Sequence, residues 1–306
     1  MELNKEKNFA SAVVYCYNDA ATIGKFIESL DQTLANNFLK YEIVVVNDAS
    51  TDDSVAIIKK FAAHKEGKVI TVLNMSHYQG LESAMNAGVN LSIGDFVYEF
   101  DSANADFDWD LMMKVYRHSL KGFDIVGART DVKIGLMTKI FYSLFNRYAK
   151  LQYDITTEAF RILSRRAINR IHSITQSVPF RKAAYANCGL AIDCLTYKSS
   201  NAKGAHKQVR DVTVDSLILF TDVAYRVTVG LSVIMALFTV FFGGYALIYK
   251  LLENPVEGWA TTVILICFGF FGLFIILSMV IKYLQTLVNL VFKKKDYLFE
   301  SIEKLQ

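Results

Sequence analysis

The sequence predicts an α/β protein with a mostly parallel sheet covered by helices, followed by a C-terminal pair of membrane-spanning helices. Apolar strands alternate with amphipathic helices through the first hundred residues, and charge-free apolar segments fill the last third. The 306 residues are 53% hydrophobic, with a mean hydropathy of +0.26. This is more apolar than a soluble domain of that length usually is. We therefore expect one soluble domain and one membrane part.

The segment 41–53 is the clearest strand-to-helix unit in the chain. Residues 43–47 form a valine-rich run that is typical of a strand buried on both faces of a parallel sheet. Polar residues follow at once and open a helix that continues to residue 61, with Asp48 at the end of the strand. Short acceptors at this point either cap the helix or bind a ligand, and both interpretations remain open.

The same alternation recurs on either side of this unit. Strands are predicted over 10–17, 68–73 and 95–100, and helices over 21–39 and 80–91. Right-handed connections bring the carboxyl ends of parallel strands to one edge of a sheet, so the polar residues after these strands should face a common crevice. These residues are Asn18, Asp19, Asp48 and Asp101.

Composition excludes several classes of protein. The net charge is +3, and no Lys/Arg cluster is interleaved with aromatic residues, so a nucleic-acid partner is not expected. The four cysteines form no CxxC pair, which predicts reduced thiols in a chain that faces the cytosol. The first residues are charged, and the apolar run after them is too short for a secretory signal.

Two segments, 227–249 and 260–281, contain no charged residue, and each is long enough to span ~30 Å of hydrocarbon. The short connection between them predicts a hairpin. The basic residues outside the hairpin are Arg226, Lys282, Lys293, Lys294 and Lys295, whereas its turn contains only Lys250. By the positive-inside rule, we expect a multi-pass protein of the cytoplasmic membrane with its large domain in the cytoplasm.

The predicted organisation follows from these segments. The large domain covers 1–208, a juxtamembrane amphipathic helix covers 209–226, the hairpin covers 227–281, and a cytoplasmic tail covers 282–306. A further amphipathic helix is predicted over 135–153. Its apolar face either packs on the core or lies in the membrane interface with its basic residues at lipid headgroups, and both alternatives remain open.

Several motifs resemble those of family 2 glycosyltransferases with the GT-A fold. They are Val-Val-Tyr-Cys-Tyr-Asn-Asp at 13–19, Glu-Ile-Val-Val-Val-Asn-Asp-Ala-Ser-Thr-Asp at 42–52, Gly-Ala-Arg at 127–129, and Phe-Arg-Ile-Leu-Ser-Arg-Arg at 160–166. The last motif is similar to that of the polyprenyl-phosphate branch, which contains dolichyl-phosphate mannose synthases and bacterial polyisoprenyl-phosphate glycosyltransferases. The Gly258-Trp259 pair and the basic run at 293–297 also resemble the bacterial members.

The resemblance implies transfer of a sugar from a nucleotide sugar, with UDP as the expected carrier, to polyprenyl (undecaprenyl) phosphate at the cytoplasmic face. It implies a nucleotide-sugar site formed by Tyr17, Asn18, Asp19, Asp48 and Arg129. It implies a catalytic group of Asp101, Arg161, Glu158 and Lys203. Asp101 would also bind Mg²⁺ or Mn²⁺ beside the diphosphate. Self-association into a homo-oligomer is a further expectation.

The sequence departs from the family pattern at the chemical centre. The metal-binding Asp-x-Asp is Asp101-Ser-Ala103 here, so the second carboxylate is missing. Ala159 stands where the branch has an aspartate, with Glu158 one step earlier, and Lys203 is what remains of a later Gly-x-Ser-Lys-Tyr run. We expect weak metal binding that Ala103→Asp would strengthen. The alternative function is a nucleotide-sugar-binding or scaffold protein in a glycan-assembly complex that has lost turnover.

Overall fold

The computed structural model describes residues 5–63, 70–131, 157–174, 180–199 and 297–305, isolated residues between 139 and 155, and helical residues between 230 and 287. The chain divides into two compact units. The first combines Met1–Thr213 with Lys294–Gln306, and the second is Val214–Lys293. The predicted segment 209–226 lies outside the described residues, as does most of 135–153.

The first unit is built on an eight-stranded sheet with helices on both faces. Its strands are β1 (Ala10–Cys16), β2 (Tyr41–Asn47), β3 (Ile70–Met75), β4 (Phe96–Phe100), β5 (Ile125–Thr130), β6 (Phe160–Ser164), β7 (Ile192–Tyr197) and β8 (Phe299–Leu305). Its helices are α1 (Ile23–Asn37), α2 (Ser54–Ala63), α3 (Leu81–Leu91), α4 (Asp110–Ser119), α5 (Arg165–Ile174) and α6 (Arg181–Ala186). The predicted α/β class and the predicted elements of the first hundred residues are confirmed.

The strand order is β7-β5-β6-β4-β1-β2-β3-β8. Strands β4, β1, β2 and β3 are parallel neighbours, so their carboxyl ends lie at one edge. Strand β6 is antiparallel to both β4 and β5, which makes β5 parallel to β4 and brings its carboxyl end to the same edge. This edge is where open α/β sheets place their ligands.

Apolar side chains fill both faces of the sheet. Val45, Phe100 and Phe160 pack with α1 and α4 on one face, whereas Val46 and Leu163 pack with α3 and α5 on the other. The valine run of β2 therefore supplies both layers, as the sequence predicts for a strand covered on both sides.

Strand β8 is the element that the sequence does not predict, because 282–306 reads as a polar tail. In the structure, Phe299–Leu305 pairs antiparallel with β3 and covers that edge of the sheet. Its side chains are mostly exposed, so its apolar content gives little strand signal. Main-chain hydrogen bonding and one side-chain ion pair, from Lys59 to Glu303 at 2.6 Å, hold it in place.

In the second unit, the described residues between 230 and 241 and between 262 and 287 are helical. Met235 contacts Gly272, and the rings of Phe238 and Phe268 lie 5.3 Å apart. Moving forward from Met235 to Phe238 on the first segment corresponds to moving back from Gly272 to Phe268 on the second, so the two segments run antiparallel. Among the residues that can be described, no helix meets the length and hydropathy that a membrane span requires. The rest of the predicted spans 227–249 and 260–281 lies outside the described residues.

One backbone position in the turn after β2 is strained. Ala49 has a φ of 57°, in the left-handed region that disfavours a side chain with a Cβ. Ala49→Gly should therefore raise the free energy of unfolding by about 1 kcal/mol, because the relief of strain exceeds the added entropy of the unfolded chain. Urea unfolding of the purified protein measures this change.

Ala56→Gly is the matched control, because Ala56 is exposed within α2 and has ordinary helical geometry. That substitution should destabilise by about 0.5–1 kcal/mol. Equal destabilisation by the two glycines would show that Ala49 is not strained.

Candidate active site

The loops that follow β1 and β2 are joined by side-chain hydrogen bonds. Asn18, with a φ of 53°, accepts a bond from the Thr51 N–H at 2.8 Å, and its own N–H donates to Ser50 Oγ at 3.1 Å. Asp19 accepts a bond from the Tyr17 N–H at 3.1 Å, and its carbonyl caps the start of α1. Asn18 and Asp19 therefore fix the shape of the sheet edge, whereas their predicted contact with a nucleotide remains a prediction.

An aromatic pair is exposed at this edge. The rings of Tyr17 and Tyr78 lie 4.6 Å apart at an interplanar angle of 47°, and the residues are 37% and 47% exposed. Tyr17 follows β1, and Tyr78 lies in the loop after β3. Exposed rings that are fixed in place offer a stacking surface for a planar ligand such as a nucleobase.

Asp48 is fully buried and its carboxylate oxygens already have partners. They accept bonds from the N–H groups of Gln79 at 2.8 Å and Gly80 at 2.9 Å, and from the Tyr15 hydroxyl at 3.0 Å. Burial, and then Asp48 itself, raise the pKa of Tyr15, which keeps that hydroxyl a donor. Asp48 thus positions the loop at Gln79 and Gly80, and its predicted contact with a nucleotide stays a prediction.

The C-terminal strand contacts the same loop. The Gln79 side chain donates to the carbonyl of Leu298 and accepts from its N–H, in the manner of a paired peptide group. The Ser76 N–H also donates to the Leu298 carbonyl at 3.1 Å, and Asn90 donates to the Tyr297 hydroxyl at 2.9 Å. The loop that carries Tyr78 is therefore held from one side by Asp48 and from the other by residues near the chain end.

The second part of the site is a buried cluster of two arginines and four carboxylates, which we call the arginine–carboxylate cluster. Its members are Glu82, Glu99, Asp101, Glu158, Arg161 and Arg181. Arg161 donates to Glu99 at 2.7 Å, to Asp101 at 2.8 Å and to Glu158 at 2.8 Å. Arg181 donates to Asp101 at 2.7 Å and to Glu82 at 3.0 Å, and lies 2.9 Å from Glu99.

Sheet register explains the pairing. Glu99 on β4 lies directly opposite Arg161 on β6, so their side chains share one face of the sheet. Arg181 reaches the same face from the start of α6, and the Tyr185 hydroxyl on that helix donates to Glu99 at 2.5 Å. Glu82, in the first turn of α3, completes the set. The cluster therefore joins two strands and two helices.

Burial makes these pairings strong. The side chains of Arg161 and Arg181 are 1% exposed and that of Glu99 is 0% exposed. Burial would raise the pKa of Asp101, but the charges of Arg161, Arg181 and Lys182 outweigh it and hold that pKa well below its usual range. The same carboxylates overcome burial to raise the pKa of both arginines. Asp101 and the arginines are therefore ionised at neutral pH.

The donor set around Asp101 does not fit a divalent cation. One Asp101 oxygen accepts from Arg161 and the other from Arg181, and the adjacent Ala103 is buried and offers no ligand. Asp106 accepts bonds from the Tyr197 and Ser199 hydroxyls, at 2.6 and 2.9 Å, and so points elsewhere. Within the described part of the chain, no group of three His, Cys, Asp or Glu residues is placed to hold a metal ion. Asp101 is thus an ion-pair partner of both arginines, and its predicted role as a metal ligand stays a prediction that this pairing disfavours.

The remaining predicted residues are placed as follows. Glu158 reaches Arg161 despite its one-residue shift, and a Cβ at Gly127 would lie 2.6 Å from the Glu158 carboxylate, so a side chain there would displace that carboxylate. Arg129 is exposed near the carboxyl end of β5, where its guanidinium lies 3.4 Å from Thr196 Oγ1. Lys203 lies outside the described residues.

Sequence reasoning misses Glu82, Arg181 and Lys182. The signal that was available is Glu99, an acid within the apolar strand Phe96–Phe100, because a buried carboxylate requires a cationic partner. Lys182 lies beside the cluster, with its ammonium 5.9 Å from the centre of the Tyr142 ring and in electrostatic contact with Asp101 and Glu158. Its charge is therefore next to the edge of the sheet where a ligand would bind.

Comparison with known proteins identifies related sequences along most of the chain. The profile of Glycosyl transferase family 2 matches residues 11–172, more than half of the chain. A bactoprenol glucosyl transferase of Shigella phage SfV is 24% identical over 84% of this chain and 87% of that protein. An undecaprenyl-phosphate 4-deoxy-4-formamido-L-arabinose transferase of Klebsiella pneumoniae is 22% identical over 89% of this chain and 83% of that protein.

The fold also has solved counterparts. Mannosyl-3-phosphoglycerate synthase from Rubrobacter xylanophilus has a TM-score of 0.51 at 20% identity, over 72% of this chain and 74% of that chain. This similarity shows the GT-A type of α/β fold. A mannosyltransferase from Pyrobaculum calidifontis, solved with GDP-Man and Mn²⁺, has a TM-score of 0.49 at 14% identity, over 95% of this chain and 89% of that chain.

The hydrogen bonds between the Gln79 side chain and the Leu298 backbone predict that Gln79 stabilises the C-terminal strand. Gln79→Ala removes two hydrogen bonds and keeps the backbone N–H that Asp48 accepts. Hydrogen exchange of β8 should then accelerate about tenfold, since two such bonds contribute roughly 1–3 kcal/mol. Mass spectrometry of peptides covering 297–305 measures the rate. Ser76→Ala, which removes a 3.3 Å contact to the Leu298 carbonyl and a contact to the His77 ring, is the control and should change the exchange rate less.

The lowered pKa of Asp101 predicts a pH-dependent stability. The folded-state pKa lies below the unfolded value of about 3.9, so the ion pairs contribute fully above that value and are lost as pH falls through the folded pKa. Asp101→Asn should be less stable than wild type near neutral pH, and this gap should narrow below about pH 4.

Thermal unfolding at a series of pH values from neutral to acid measures the gap. Glu28→Gln, at an exposed position on α1, is the control and should keep the pH profile of the wild type. A gap for Asp101→Asn that stays constant in acid would show that the carboxylate is not ion-paired in the folded protein.

Proposed function

We propose that this chain, which belongs to glycosyl transferase family 2, transfers a sugar from a nucleotide sugar to polyprenyl phosphate at the cytoplasmic face of a membrane. The expected donor carries UDP. The observation that carries the proposal is the exposed Tyr17–Tyr78 ring pair at the sheet edge where β1 and β3 end. This is the position at which an α/β sheet of this kind receives a nucleotide.

The names of two relatives support the lipid acceptor. One acts on bactoprenol and the other on undecaprenyl phosphate, and each aligns with more than four fifths of this chain. The alignments extend beyond the residues matched by the family profile, so they include part of the apolar C-terminal third. The particular sugar and its linkage are not specified by these similarities.

The proposed reaction makes modest demands on proton transfer. An oxygen of the lipid phosphate attacks C1 of the sugar, the bond from C1 to the diphosphate oxygen breaks, and the nucleoside diphosphate leaves with the electron pair. The phosphate monoester is already ionised at neutral pH, so the site has to position it and stabilise the leaving group more than remove a proton. The exposed Arg129, on the same sheet edge as Asp101, is suited to bind phosphate oxygens.

The second unit supports a membrane anchor in this proposal. Segments 227–249 and 260–281 contain no charge, and large apolar side chains are exposed on their described helical residues. Examples are Leu237 at 65%, Phe241 at 69% and Leu273 at 58% exposure. Exposed apolar surface of this kind is stable in hydrocarbon and costly in water. We propose this unit as the hairpin, with the large domain and the C-terminus in the cytoplasm.

A second function is favoured by one observation. Asp101 is held by two arginines, and Ala103 and Ala159 stand where the resembled family has carboxylates. These features suit a protein that binds a nucleotide sugar, or acts as a scaffold in glycan assembly, without turnover. Both functions would use the same nucleotide site, at the sheet edge that carries Tyr17 and Tyr78.

Incubation of the purified full-length protein with undecaprenyl phosphate and a panel of UDP- and GDP-sugars tests the proposal. Formation of a glycolipid with release of the nucleoside diphosphate supports transfer. Binding of a nucleotide sugar without product supports the second function. Failure to bind any nucleotide sugar would overturn both. Each reaction is run with Mn²⁺ and with EDTA, so that a metal requirement does not hide activity.

The role given to Tyr17 predicts a specific loss. Tyr17→Ala should weaken UDP binding about tenfold or more, because stacking of a base on an aromatic ring is worth about 1–3 kcal/mol. Tyr17→Phe keeps the ring and is the matched control, so it should bind UDP within about twofold of wild type. Calorimetry measures both. Equal affinity of Tyr17→Ala and wild type would remove this residue from the base site.

A further inference from the structure

We propose that the nucleotide diphosphate binds in this protein without a divalent cation, because the arginines of the arginine–carboxylate cluster already pair with the carboxylate of Asp101. This inference rests on the proposed function, because it concerns the donor site of that transfer. Its starting point is the disagreement between the motif that the family resemblance implies and the side chains that surround Asp101.

The Asp101 carboxylate is already paired with two cations. Its oxygens accept short charge-assisted bonds, at 2.8 Å from Arg161 and 2.7 Å from Arg181. A divalent ion bound to either oxygen would lie close to these guanidinium groups, which would repel it. The Arg181 guanidinium lies against the Asp101 carboxylate and is shared with Glu82 and Glu99. The buried Ala103 provides no second ligand.

Arg181 is held beside Asp101 by further carboxylates. Arg181 also binds Glu82 and lies 2.9 Å from Glu99, and its backbone N–H donates to Glu82 at 2.8 Å. Moving its side chain away from Asp101 would cost the free energy of its buried ion pairs with Asp101, Glu99 and Glu82. A metal ion would have to supply that free energy before it gained any coordination.

The negative charge of the leaving diphosphate requires cationic side chains near Asp101. Lys182 follows Arg181 in α6, and its ammonium interacts with Asp101 and Glu158. Arg129 lies two strands from β4, near the carboxyl end of β5, on the sheet face shared by Arg161. We assign the binding of the diphosphate to Lys182 and Arg129. The arginines of the cluster hold Asp101 and do not themselves contact the ligand.

The wild-type protein gives the first test. Calorimetry with UDP and with GDP is run in Mn²⁺ and in EDTA. The proposal expects the two affinities to agree within about twofold, which means no thermodynamic coupling between metal and nucleotide. A gain of about tenfold or more on addition of Mn²⁺ would overturn it. If neither UDP nor GDP binds in Mn²⁺ or in EDTA, the proposed function fails. The claim that Asp101 binds no divalent cation is then tested by direct Mn²⁺ binding alone.

Direct binding of Mn²⁺, followed by electron paramagnetic resonance without nucleotide, is the second test. Wild type and Ala103→Asp should bind no Mn²⁺, because Arg181 and Arg161 still occupy the oxygens of Asp101. The double variant Ala103→Asp, Arg181→Met should bind it, because an aspartate pair is then exposed beside Glu82. Binding by Ala103→Asp alone, as tight as by the double variant, would show that the arginines do not block the site. If the double variant does not fold, the comparison of Ala103→Asp with wild type still decides.

Lys182 gives the third test. Lys182→Met should weaken UDP binding about tenfold and leave uridine binding unchanged, because only the diphosphate contacts the ammonium. Lys182→Arg keeps the charge and should restore most of the affinity. An equal loss for UDP and uridine would indicate a structural role, and no loss for UDP would remove Lys182 from the diphosphate site.

Discussion

The buried pairing of Arg161 and Arg181 with four carboxylates is the interaction on which the rest of the site depends. Removing charges from water costs several kcal/mol for each ion, and only nearly complete hydrogen bonding offsets that cost. Here each arginine contacts three carboxylates, and Tyr185 donates a further bond to Glu99. These ion pairs depend on one another, and together they fix β4, β6, α3 and α6 relative to one another.

This element also connects the two halves of the site. Asp48 holds the N–H groups of Gln79 and Gly80, and Glu82 follows two residues later at the start of α3. Glu82 binds Arg181, which binds Asp101. A continuous path of backbone and short polar contacts thus runs from the loop that carries Tyr78 to Asp101. A change at either end can shift the other through side chains with defined partners, which is the physical requirement for coupling between the two.

The sequence predicts the parallel core of the fold well, because period and composition are local properties. Residues 43–47 read as a strand buried on both faces, and Val45 and Val46 occupy opposite layers. The cluster is not predictable in this way, since Glu99 and Arg181 are brought together only by the folded chain. Glu158 shows a different limit: the expectation that a one-residue shift misdirects its side chain assumes regular structure, and residues 157–159 are irregular.

The C-terminal strand shows why a tail can be part of a site. Without β8, the edge of β3 would present unpaired N–H and C=O groups, which favour association with other chains. Strand β8 satisfies them although most of its side chains are exposed. Its stability comes from main-chain pairing, from side-chain contacts of Asn74 and Lys59 with its polar residues, and from the contact of Leu298 with Gln79. Gln79 lies between the ring of Tyr78 and the glycine that starts α3. The order of the proposed nucleotide loop therefore depends on residues that the chain reaches only after its apolar second unit.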